Sequence, residues 1–184
     1  MGTPLHLRYY GKTSDEIFRD LVYYTNGYRL PHHATVVKVE PNPFQTQDPL
    51  GRDTQAEVAI PADPYCHAPQ QMSTRTVTYS RLNLSVLQPR WDRYFEAPTT
   101  DSSTYQLLDQ INQYFNTCFT VYDLEDVAYP AGNFALVLRA QAMSSAWQGQ
   151  YGQVPQLANL IPVKKLAGFT PYVPDLSVGQ EVLG

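Results

Sequence analysis

Two groups of side chains in this sequence carry residue types that do chemistry. The first is His32-His33, in a proline-led loop, with Cys66-His67 in "PYCHAP". Imidazole and thiolate are the ligands that zinc and other transition metals prefer. Structural zinc sites take their ligands as spaced pairs, whereas these ligands are adjacent. The pattern argues for ordinary loop side chains, and no metal is expected. The second group is Asp123, Glu125 and Asp126, clustered ahead of a strand-like stretch. Two carboxylates across a cleft would suit glycoside hydrolysis. Sequence spacing does not create such a pair, and a solvated loop or a turn resembling a helix start accounts for these acids. There is no nucleophile elbow, phosphate loop, HExxH or other zinc signature, and "GQYG" at 149–152 is too short for a dinucleotide fingerprint. Nucleophile, base and orienting group are not visible together. The sequence therefore reads as non-enzymatic, with no catalytic residue and no cofactor.

Composition narrows the field further. The 184 residues suit one domain or two small ones, and 43% hydrophobic residues are enough for a core. Charged residues make up only 16%, below the usual share of about 25%. Tyrosine (14) and proline (15) are abundant. Such a chain suits a surface that meets proteins or sugars, and equally a Tyr-rich β-protein with an ordinary core. The net charge of −4, with no basic cluster beyond Lys164-Lys165, lacks the positive footprint of nucleic-acid binding. No apolar run approaches the roughly 18 residues of a membrane span. "MGTPLHLRYYGK" lacks the apolar stretch of a signal peptide and the pattern for myristoylation, so synthesis in a cytoplasm without standard export is expected. Cys66 and Cys118 do not form a disulfide framework, and Cys118 in "NTCFTV" reads as a small buried hydrophobe.

The elements that would position these residues have clear local signals. Thr13 and Glu16 make a capping box, Ile17, Leu21 and Tyr24 share one helical face, and Asn26-Gly27 is a stop signal. A helix over about 14–24 is predicted. Ser103 and Gln106 make a second box, Leu107, Ile111 and Tyr114 a second stripe, and Asn116 a second stop, which predicts a helix over about 104–115. Thr13/Ser103, Glu16/Gln106, Ile17/Leu107, Phe18/Leu108, Leu21/Ile111, Tyr24/Tyr114 and Asn26/Asn116 are all offset by 90. A set in one register reads as an internal duplication.

Strands follow each helix. "ATVVKV", closed by Pro41, is joined by a loop of about 14 residues to "DTQAEVAIP", in which Ala56, Val58 and Ile60 alternate with other residues. "TRTVTYSRLNLSVL" changes phase between Tyr79 and Leu82, which suggests a β-bulge near Ser80-Arg81. In the second half, strands are expected up to Tyr129, through Phe134, Leu136, Leu138 and Ala140 in "NFALVLRAQ", and in "AWQGQYGQV". The predicted class is α+β: mainly antiparallel β with two short helices, two related helix-plus-three-strand modules and an extended C-terminal arm. The divisions are 1–90 for the first module with its lead, 91–102 for a linker, 103–154 for the second module and 155–184 for the arm. Trp91, Tyr94 and Phe95 give the linker enough apolar surface to pack. The arm carries Pro155, Pro162, Pro171 and Pro174 among isolated apolar residues. Proline keeps it extended, either along a neighbouring subunit or as a strap on its own domain.

The turn Gly51-Arg52-Asp53-Thr54-Gln55 before an alternating strand, and the strand ending Tyr79-Ser80-Arg81-Leu82-Asn83-Leu84, resemble a module of virion structural proteins from very large (jumbo) tailed bacteriophages. The second half resembles that module's companion pattern of short helix, Asn, "D-V" strand and alternating strand, closing on Ser145, Trp147 and Gly149. The likeness covers roughly 14–150; the Cys/His-bearing loop "PADPYCHAPQQMST" departs from it and the arm lies outside it. It implies a building block of a phage particle, localised to the virion, in capsid, neck, tail or baseplate. Its partners would be other virion proteins in multiple copies, with no nucleic acid and no membrane span. Trp91, Tyr94, Phe95, Trp147, Leu160, Ile161, Phe169, Tyr172 and Val173 are the candidate interface residues. The alternative is a tail-fibre type module that binds host-surface glycans by stacking sugars on Trp91, Trp147 and tyrosines.

Overall fold

The computed structural model describes residues 9–62, 72–90, 92–93, 95–131 and 135–152. It is an α+β structure with two helices and mainly antiparallel strand pairs. The first helix, α1 (Ser14–Asn26), starts where its cap is encoded. The Thr13 Oγ1 accepts from the Glu16 N–H, and the Glu16 carboxylate accepts from the Thr13 N–H at 2.8 Å. That contact holds the Glu16 carboxyl below its usual range. The helix stops at Gly27, whose φ of 74° lies in the left-handed region that glycine enters without penalty.

The buried face of α1 (Ile17, Phe18, Leu21, Val22) packs on a three-stranded antiparallel sheet, β1 (Thr35–Pro41), β2 (Thr54–Ile60) and β3 (Ser73–Tyr79), in the order β1-β2-β3. Thr54, Ala56 and Val58 point inward from β2, and Val77 and Tyr79 from β3. The period of two puts them all on one face. Phe18 meets Tyr79 edge to face, with ring centroids 5.1 Å apart. The irregularity in this sheet lies on β1, where the register shifts between Val36 and Lys38.

The expected bulge at Ser80-Arg81 is instead a corner. β3 ends at Tyr79, and the chain resumes as β4 (Leu82–Asn83) followed by a 3-10 turn (Leu84–Val86). The phase change in the sequence therefore marks a change of partner: β4 leaves the first sheet and pairs elsewhere.

The second half begins with β5 (Ser102–Ser103) and the helix α2 (Leu108–Phe115). The helix is shorter than its sequence signal. The Gln106 side chain does accept from the Ser103 N–H at 2.9 Å, but residues 104 and 105 are drawn off by the 126–127 segment. The Thr104 N–H donates to the Val127 carbonyl, and the Tyr105 N–H to Asp126. These tertiary bonds satisfy the N–H groups that a first helical turn would leave open. Asn116 closes α2 in the left-handed conformation, φ 53°.

The remaining strands are short and form pairs. β5 pairs with β6 (Ala128–Tyr129), β7 (Val137–Arg139) with β9 (Gln150–Gly152), and β4 runs parallel to β8 (Trp147–Gln148). Each half thus carries a helix closed by a left-handed residue, but at Gly27 in the first and Asn116 in the second, one place off the 90-residue register, and the sheets differ: three strands in one ladder in the first, two-stranded pairs among the described residues of the second. Both share one core. Ile111, Phe115, Phe119, Leu124, Leu138 and Trp147 join the α1 and β2–β3 residues in a single buried cluster. The N-terminal lead seals the seam: the Gly11 N–H donates to the Asn116 carbonyl, Thr13 bridges Cys118, and Tyr9 lies edge-on to Trp147.

Two measurements test this account. Thr13→Ala removes the cap hydroxyl and is expected to cost about 1 kcal/mol in urea unfolding. Burial raises the Tyr151 hydroxyl to about 12, against about 10 in an unfolded chain. Between these values the unfolded state releases a proton that the native state keeps, so stability falls as pH rises from about 10 to 12. Tyr151→Phe should flatten part of that loss, read as the urea midpoint at pH 9 against pH 11.

Candidate functional site

The motif residues from the two halves meet at one place, the corner after β3. Arg81 sits at its centre. Its Nε donates to Thr54 Oγ1 at 3.1 Å, and its Nη1 to the carbonyls of Ala142 and Ser144 at 3.0 and 3.2 Å. The Asp53 carboxylate accepts from the Arg81 N–H on one oxygen and from Gln148 Nε2, at 2.8 Å, on the other. Gln148 also donates to the Arg81 carbonyl. The Tyr79 hydroxyl donates to the Ser145 carbonyl at 2.7 Å, and burial pushes that hydroxyl's pKa well up, so it remains a donor in ordinary conditions. The Leu82 N–H completes the join on the Ala146 carbonyl.

Arg52 extends the network. It pairs with Asp48 at 2.7 Å, holding that carboxyl below its usual range, and donates to Asn26 Oδ1 at the end of α1. Asn26 in turn donates to the Thr78 carbonyl. Turn, helix end and strand are thereby fixed to one another. Gly149 is required where β8 passes into β9. Its φ is 72°, and a Cβ there would lie 2.6 Å from the Asn83 amide. These residues form a hydrogen-bonded staple between halves, with their polar groups occupied by one another.

The surface offers a different feature. An open groove of about 370 Å³ lies between β1, the first turn of α1 and the 120–123 and 143–145 segments. Val37 (58% exposed), Tyr122 (80%) and Met143 (57%) stand on it. Among the described residues β1 has β2 as its one strand neighbour, and Val36, Val37, Lys38 and Val39 of β1 line the groove. The Ser14 Oγ, also in the groove lining, is buried without a hydrogen-bond partner. An apolar strip beside a strand edge is a docking geometry, since backbone groups supply affinity and side-chain contacts supply selectivity.

The predicted residues separate into three sets. Phe95 and Trp147 are core residues, 2% and 1% exposed, so neither presents a surface to a partner and Trp147 offers no face to a sugar. Trp147 is instead wedged between Tyr9 and Phe119. Trp91, Tyr94, Leu160, Ile161, Phe169, Tyr172 and Val173 lie outside the described residues, as do Cys66 and His67. His32 and His33 are exposed, with ring centroids 5.2 Å apart. Among the described residues, no group of three or more His, Cys, Asp or Glu is placed to hold a metal.

The acidic cluster has structural work. Asp123 is buried and accepts from Thr120 N–H and Oγ1 and from Ser144 Oγ, while Asp126 caps Tyr105. Sequence reasoning missed the groove residues Val37, Tyr122 and Met143. Their only local signal was Val36-Val37 in a run with no alternation, which does not say which valine is left outside.

The fold places the chain among small α+β proteins built on a helix-backed antiparallel sheet. The chain belongs to a family of unknown function (DUF7941), which matches residues 7–182. No curated protein and no solved structure matches it. No helix among the described residues is long and apolar enough to cross a membrane.

Two substitutions probe the staple. Arg81→Lys keeps the charge but not the fork that reaches Thr54 and the carbonyls together, and should destabilise by about 2 kcal/mol. Gly149→Ala should cost about 2 kcal/mol, from left-handed strain plus the Asn83 clash. In a double-mutant cycle with Asn83→Ala, the steric part should be recovered and about 1 kcal/mol of backbone strain should remain.

Proposed function

We propose that the chain is a non-enzymatic structural component of the particle of a very large tailed bacteriophage. It works by presenting surfaces to other particle proteins, in multiple copies. The observation that carries this reading is the groove: three large apolar side chains stand in water beside a strand edge, an arrangement typical of interaction sites. The resemblance to jumbo-phage virion proteins supplies the class of particle. The residues that bear that resemblance (Asp53, Thr54, Tyr79, Arg81, Ser145, Trp147, Gly149) are engaged in holding the two halves together, as suits a building block.

The test is mass spectrometry of virions fractionated into capsid and tail. The chain is expected in one fraction at several copies per particle, and its absence from purified particles would overturn the proposal.

A second reading, a receptor or glycan-binding module of a tail fibre, is favoured by one observation. Tyr23, Tyr24 and Tyr28 are exposed together at the end of α1, with the Arg29 guanidinium over the Tyr23 ring at 4.9 Å. Aromatic faces of this kind stack on sugar rings. Titration with host-envelope glycans should then give a saturable fluorescence change that Tyr24→Ala abolishes; a flat titration rejects this reading.

A further inference from the structure

A second hollow, of about 320 Å³, lies between α1, Lys12 and the loop that follows the helix. Most charges on its wall are spent inside the protein. Lys12 pairs with Asp20. Arg19 pairs with Asp15 and donates to the carbonyls of Pro31 and Ala34, both at 2.6 Å. The Glu16 carboxylate is turned to the start of α1, where it accepts from Thr13. Arg29 is the exception. Its guanidinium carbon lies 4.9 Å from the centre of the Tyr23 ring, and among the described residues it has no carboxylate or carbonyl partner.

A guanidinium held on an aromatic face keeps its N–H fork available, and that fork matches the two oxygens of a carboxylate. The hollow has a basic end here. Seven residues of helix, about 10 Å at the usual rise, separate Tyr23 from the acid at Glu16. Tyr23 and Leu30 give this end apolar walls, and the exposed His32 lines it too. The ring of Tyr24, which stands exposed, lies 5.5 Å from that of Tyr23.

We propose that this hollow binds a carboxylate-bearing sugar, with the carboxylate on the Arg29 fork and the ring against the Tyr23–Tyr24 pair. Two observations favour a sugar over an acidic peptide. The main chain at the rim is committed, since the carbonyls of Tyr23, Pro31 and Ala34 accept from Gly27 and Arg19. An extended peptide therefore finds no backbone ladder to join. The hollow is also at the small end of ligand pockets, which start at about 300 Å³, and suits one terminal unit of a glycan. A neutral sugar would leave the Arg29 fork empty. The proposal rests on the glycan-binding reading and adds the class of sugar and the residue that reads its charge.

The test titrates the full chain, followed by NMR, with glucuronate and galacturonate, each compared with its methyl ester and its neutral hexose. One of the acids should bind about tenfold more tightly than its uncharged counterparts, the order of one charge-assisted contact. Arg29→Gln should remove that preference, and Arg29→Lys, which keeps the charge without the fork, should recover only part of it. Tyr24→Ala should weaken acid, ester and hexose alike, because it acts on the ring. Both positions are exposed, so the unfolding midpoint should stay nearly unchanged.

Equal binding of acid and ester, or an Arg29→Gln chain that keeps the preference, overturns the proposal and leaves the glycan reading standing. Acetate binding as tightly as the sugar acids overturns it in favour of simple ion pairing, and a diglutamate peptide binding more tightly than either acid gives the site to a protein partner. Silence toward both acids, with a saturable response to host-envelope glycans, ends this proposal alone; silence toward all of them ends both.

Discussion

The structure depends on the corner at Ser80-Arg81 being held. β3 delivers the chain there, and a straight continuation would carry Leu82 and Leu84 into an extended edge of the first sheet. Arg81 prevents this by binding Thr54 on one side and the carbonyls of Ala142 and Ser144 on the other. Asp53 closes the same ring from beneath, through the Arg81 N–H and Gln148. Carbonyls at a loop cannot all find partners within the loop, and a guanidinium is the one side chain that can serve several in a fixed fork. Once the corner is set, β4 lies against β8, Trp147 enters the core, and the two halves bury one another.

That arrangement explains why two similar helices sit in dissimilar surroundings. α1 has a complete capping box and a three-stranded sheet to cover. α2 has only the Gln106 half of its box, because Val127 and Asp126 take the N–H groups ahead of it. A short helix is marginal alone and takes its stability from packing. α2 obtains that packing from Phe95, which meets Tyr114, and from Tyr151, which Phe115 meets at 4.9 Å.

The same geometry directs function toward the surface. The polar residues that the sequence sets apart, Asp53, Arg52, Arg81 and Asp123, are each engaged by neighbouring protein groups. The groove, by contrast, carries exposed apolar side chains: Val37 on β1, and Tyr122 and Met143 across from it. Exposed apolar side chains gain by being covered, and an edge strand gains by being paired.

The sequence by itself determined the local pieces. The α1 cap and stop, the inward phase of β2 and β3, and the stop at Asn116 are written in residues a few positions apart, where capping and periodicity act; of the α1 stripe, Ile17 and Leu21 are buried as expected, whereas Tyr24 stands exposed and Phe18 and Val22 are buried instead. It also marked the break after Tyr79, although not what the break was for. Tertiary structure alone decided the rest. The parallel pairing of Leu82 with Trp147 joins positions 65 apart, the shortened start of α2 depends on a segment more than 20 residues downstream, and Phe95 and Trp147 became core because both halves close over them. The exposure of Val37 likewise follows from the place of β1 at the end of its three-stranded sheet. Local signals fix torsions within one element; which elements meet is settled by the burial of surfaces whose partners lie far apart along the chain.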